Sequence, residues 1–258
     1  MTVKGGEKLM WGTAAAFLLT RVLQYVFVID QDGFFIQQNI LSNLLYILFG
    51  VFALLSLFVC FSKKNQNESC AELLCSRSVA WVSLIAGLSL MVYAAVLAFH
   101  DDWLYLPALA AMVYFILLHF YASGKDMPVM KFMAVGALSY PCCRAIQMFF
   151  DTFKEIKASE NVIDMVAICA MILMVLSLTK LCMGFEEKTG KVAWSFLVMG
   201  AFGALSGIGK LLGLIWGALD MVSIVAAVSD LMMWCLALVV YHRLALFRTS
   251  EIQDEVDV

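Results

Sequence analysis

NILSNLLYILFGVFALLSLFVCFSKK, residues 39 to 64, runs from Asn39 to Phe61 without a charged residue and then meets Lys63 and Lys64. A helix rises 1.5 Å per residue and the hydrocarbon layer of a bilayer is about 30 Å thick, so roughly 20 mostly apolar residues cross it. This block has that length and ends on charge, which reads as a transmembrane helix. Seven more blocks of the same kind follow outward from it: 9–29, 79–99, 103–122, 129–150, 161–184, 192–212 and 221–246.

The composition agrees. Of 258 residues, 63% are hydrophobic and 14% charged, and the mean hydropathy is +0.91, far from the balance of soluble domains. The connections between blocks are too short for a second folded domain, which excludes water-soluble catalytic or nucleic-acid-binding modules. The net charge of -3 singles out no partner.

Cytoplasmic flanks of membrane helices hold an excess of Lys and Arg. Lys4, Lys8, Lys63, Lys64, Arg77, Lys125, Lys131, Lys180, Lys188, Lys191, Arg243 and Arg248 fall at one set of ends, against Lys154, Lys157 and Lys210 at the other. With an even number of spans, both termini are expected in the cytoplasm and the protein in the cell membrane. A cleaved signal peptide fits poorly, because the first apolar run extends to Ile29 and no small-x-small cleavage site follows it. The cysteines argue against a disulfide framework: Cys60, Cys142, Cys143, Cys169, Cys182 and Cys235 lie in spans, where cysteine packs as a small apolar residue. Cys70 and Cys75 lie in a connection assigned to the reducing side, and they lack the His or second Cys pair of a zinc site. No cofactor or metal is expected.

Two segments share a pattern. Arg21, Gln24 and Phe27 match Arg144, Gln147 and Phe150; Leu55-Ser56-Leu57 matches Leu176-Ser177-Leu178; and Val79-Ala80-Trp81 matches Val192-Ala193-Trp194, in the same order. The offset shrinks where the connection 62–78 is longer than its counterpart 185–191. The expected architecture is therefore all-α and polytopic, with eight transmembrane helices in two parallel-topology four-helix repeats, residues 1–125 and 126–258. Parallel repeats of this kind occur in carriers, with sites near mid-membrane at the repeat interface.

The residues that do not belong in lipid point to such a site. Arg21 is nine residues before Asp30, about 13 Å along a helix and close to the midplane, with Gln24 on the same face. Arg144, Gln147 and Asp151 form a second stripe, with Pro141 a turn earlier. Asp230 is the carboxylate nearest mid-membrane, while Asp30, Asp32, Asp151 and Asp164 collect near the outer ends. Ionisable groups at that depth are costly and face protein or a water-filled cavity. Two arginines against one deep carboxylate leave a positive excess unless the outer acids reach inward.

The expected ligand-binding set is thus Arg21, Gln24, Arg144, Gln147 and Asp230, and the expected ligand a small anionic solute that is bound or transported. The competing reading is a non-enzymatic sensor, assembly or accessory protein in which the same Arg/Gln/Asp cluster fixes helix packing. Lys180 and Lys210 read as snorkelling residues near helix ends, and His119 as a packed or interfacial histidine. ALSGIGKL, 204–211, lacks the Ser or Thr of a phosphate-binding loop and follows no strand, so Gly203 and Gly207 read as a packing stripe. No catalytic motif supports an enzyme. Partners expected beyond the lipid bilayer are the solute and a protein docking on the loop 62–78 or the acidic C-terminal tail; nucleic acid is not expected.

Overall fold

The structure is a computed structural model and describes residues 3–27, 40–61, 67–68, 73–125, 129–154, 158–185, 187–213 and 221–256. Among them are eight helices: α1 (Val3–Phe27), α2 (Ile40–Cys60), α3 (Arg77–Phe99), α4 (Tyr105–Ala122), α5 (Met130–Lys154), α6 (Ala158–Cys182), α7 (Thr189–Gly213) and α8 (Met221–Val256). Two short strands, β1 (Asn67–Glu68) and β2 (Glu187–Lys188), pair antiparallel with Asn67 opposite Lys188. They tie the α2–α3 connection to the α6–α7 connection.

Seven helices, α1 to α4 and α6 to α8, are long and apolar enough to cross a membrane. The chain is thus a multi-pass membrane protein by length and composition. The block 129–150 departs from the eight-span expectation. Its helix, α5, has 25 residues but carries Lys131, Ser139, Tyr140, Pro141, Arg144, Gln147, Asp151 and Lys154. The helix that brings the polar groups falls short on hydropathy because it brings them.

Consecutive helices from α3 to α8 pack side by side, and α3 also packs on α8, so these six close into a ring. α1 and α2 pack on each other and join the ring at α7, with α1 also touching α8. Four phenylalanines make that junction. Phe17 stacks on Phe202 with ring centroids 5.2 Å apart, Phe49 meets both edge-on at 4.9 Å, and Phe52 reaches Phe202 at 5.4 Å. Each such pair adds about 0.5–1.5 kcal/mol beyond its buried area. On its other side α2 exposes Ile47, Val51, Leu54 and Phe58, an i, i+4, i+7, i+11 stripe suited to lipid.

Within the ring, α7 and α8 approach closely where α7 has no side chains. A Cβ added at Gly203 would lie 3.1 Å from Trp234 Cβ, and one at Gly207 3.1 Å from the Leu231 backbone nitrogen. The glycine stripe therefore works in packing, as its spacing predicts. This contact sets Ser206 and Lys210 of α7 against Asp230 of α8.

Candidate functional site

Arg144 and Asp230 are 6% and 2% exposed. Arg144 donates from Nη1 to Asp230 Oδ1 at 2.5 Å and from Nη2 to Oδ2 at 2.9 Å, a two-pronged pair that uses both carboxylate oxygens. Nη1 also donates to Tyr140 Oη at 3.2 Å, one turn back along α5. In the ring order α3 to α8, α5 and α8 stand opposite each other, so the pair crosses the ring.

α7 extends the network. Ser206 Oγ lies 2.9 Å from Asp230 Oδ2 and 3.3 Å from Asp164 Oδ1 of α6. Lys210 Nζ lies 2.9 Å from Asp164 Oδ2 and 3.4 Å from Asp230 Oδ2. The result is a chain of alternating charge, Arg144, Asp230, Lys210, Asp164, with two cations against two carboxylates. The Lys210 side chain is 20% exposed and that of Asp164 14%, so the network runs from a partly exposed end to a buried one. Each carboxylate meets an ammonium or guanidinium, which offsets part of the cost of holding charge away from water.

Arg21 is 2% exposed. Its Nη1 donates to Gln24 Oε1 at 3.3 Å and its Nη2 to Tyr25 Oη at 3.4 Å. The guanidinium carbon sits 4.5 Å from the centroid of the Tyr25 ring. Gln24 Nε2 in turn donates to the Leu41 carbonyl of α2 at 3.0 Å. Arg21 and Tyr25 line a cleft of about 30 Å³ together with Asp164, Gly209 and Lys210. The two arginines thus reach the same stretch of α7, Ser206 to Lys210, by different routes.

Gln147 stands apart from the network. Its Nε2 donates to Asp102 Oδ2 at 3.1 Å, while Asp102 Oδ1 accepts from the Leu104 backbone ahead of α4 at 3.0 Å. Gln147 Oε1 is buried without a hydrogen-bond partner. Of the five residues singled out in the sequence, then, Arg144 pairs with Asp230, Arg21 with Gln24, and Gln147 anchors a connection. Asp30 and Asp32 lie outside the described residues, and so does the side chain of Asp151.

Lys210 corrects the snorkelling expectation, because it is held between two carboxylates. Ser206, not among the expected site residues, places its one hydroxyl proton between the two acids, nearer Asp230. The signal that could have found them is the i, i+4 spacing of Ser206 and Lys210 on one face of α7. Among the described residues no group of three or more His, Cys, Asp or Glu is arranged to hold a metal ion.

Comparison of the chain with protein-family models, curated proteins and solved structures returns no match.

Proposed function

We propose that this is a non-enzymatic cell-membrane protein of sensor, assembly or accessory type, in which the polar centre is an internal strut that locks the helix ring. One observation carries this reading: Asp230 is met by protein donors on both oxygens, Arg144 on Oδ1 and Arg144, Ser206 and Lys210 on Oδ2. A buried pair so completed holds register between helices and leaves no place for a solute carboxylate. In the proposed topology α5 is the eighth span, with Arg144 turned into the ring, and both termini face the cytoplasm. The antiparallel pairing of β1 with β2 supports a common face for the two connections. Contact with a protein partner would use the loop 62–78 or the C-terminal tail.

A second reading has its own observation. Arg21 and Lys210 share the walls of the cleft between α1, α6 and α7, where a small anionic group could bind if Lys210 exchanged one of its acids for it. Thermal stability of the purified protein against a panel of anionic metabolites separates the two. The strut reading expects no metabolite to raise the unfolding temperature. Stabilisation that Arg21→Gln and Lys210→Gln both abolish would transfer the conclusion to solute binding.

A further inference from the structure

A second feature lies at the other ends of the helices, away from the charge network. A groove of about 510 Å³ opens between the start of α3 and the end of α4, lined among others by Ser76, Arg77, Trp81, His119 and Ser123. That volume is in the range of small-ligand sites. We propose that this groove binds the phosphate headgroup of an anionic phospholipid.

Position is the first argument. The apolar spans of α3 and α4 are Arg77–Phe99 and Tyr105–Ala122, so Arg77 begins one span and His119 lies in the last turn of the other. The groove therefore sits where hydrocarbon gives way to headgroups. Trp81 is half exposed beside it, and tryptophan favours that level because its ring is apolar and its N–H is polar.

Charge is the second. Among the described residues, the groove's lining includes the cationic Arg77 and no carboxylate. The amino end of α3, with Ser76 as its cap at 3.3 Å from the Val79 nitrogen, adds partial positive charge to the same wall. Basic pockets between membrane helices at this level suit anionic headgroups.

The histidine supplies a directed group. His119 Nδ1 lies 2.8 Å from the Ala80 carbonyl. A carbonyl only accepts, so Nδ1 carries the proton and Nε2 is the ring nitrogen left for a ligand. That nitrogen can accept from a headgroup hydroxyl, such as those of phosphatidylglycerol. Ala80, Trp81 and Ala122 complete an apolar side for the glycerol and upper acyl chain. The groove is thus cationic at one edge and apolar at the other, as an amphipathic occupant requires.

The test uses the full chain in phosphatidylcholine vesicles doped with a brominated phospholipid, which quenches tryptophans it touches. Brominated phosphatidylglycerol is expected to quench more than brominated phosphatidylcholine at equal mole fraction, and Trp81→Phe should remove the difference. Arg77→Gln is expected to weaken the preference about fivefold, the factor equivalent to one basic residue at a membrane surface. Ser123→Asp, which adds a carboxylate at an exposed position, should act in the same direction and covers the case that Arg77→Gln misfolds. Equal quenching by the two lipids, or a preference that survives in the folded variants, would overturn the proposal. Stabilisation by glycerol phosphate in water without any lipid preference would also overturn it and assign the groove to a soluble phosphate compound.

Discussion

Removing one half of the Asp230–Arg144 pair and removing both halves together have unequal consequences. Asp230→Asn leaves a guanidinium buried at 6% exposure with a weaker acceptor, and breaking a buried pair in this way costs about 3–5 kcal/mol. Replacing both partners together, Arg144→Met with Asp230→Leu, removes the charges along with their desolvation cost. The double variant should recover most of the loss in detergent unfolding, leaving the unmet needs of Ser206 and Lys210 as the remainder. A double variant as unstable as the single one would mean that the charges do more than hold helices. Lys210→Met should cost less than Asp230→Asn, because the Asp164 it strands is 14% exposed and nearer water than the buried Arg144.

At the scale of elements, the junction of α1 and α2 with the ring depends on one side chain more than on others. Phe202 touches Phe17, Phe49 and Phe52 at once. Phe202→Ala should cost about 3–5 kcal/mol and loosen α1–α2 before the ring, which limited proteolysis of the α2–α3 connection would report as cleavage ahead of global unfolding. The element boundaries were largely legible in sequence because apolar blocks bounded by charge have one physical reading. The site was legible in part. Arg144 and Asp230 stood out since a charge at mid-membrane must find a partner. Lys210 and Asp164 did not, because a charged residue near a helix end can reach water or pair, and only the neighbouring helix decides. The two Arg-x-x-Gln segments looked alike, yet Gln24 meets a carbonyl of α2 and Gln147 meets Asp102. Identical spacing on two helices carries no information about which neighbours each will face.

For the whole molecule, the proposed orientation, with the lysine-rich ends in the cytoplasm, makes a direct prediction. Cys75 is exposed in the α2–α3 connection, so in a Cys70→Ser background it serves as a native reporter. A membrane-impermeant maleimide should label it from the cytoplasmic side and should fail in intact right-side-out cells until they are permeabilised. Labelling of intact cells would reverse the proposed orientation.

Arg144 and Asp230 are 86 residues apart in the chain, and that spacing makes the pair a matter of time. At 5–20 residues per second, Arg144 emerges from the ribosome roughly 4–17 s before its carboxylate. During that interval α5, the helix below the apolarity of the other seven, has neither its counter-charge nor a closed ring to enter. On the eight-span reading its stable residence in the membrane is settled late, when α8 arrives, and biogenesis depends on something that shelters a cationic helix meanwhile. A chain stopped after Gly213 should therefore leave a cysteine placed at Gln147 open to water-soluble thiol reagents, whereas the full-length chain should protect it. Equal protection of both would mean that α5 is settled in the membrane before α8 is made.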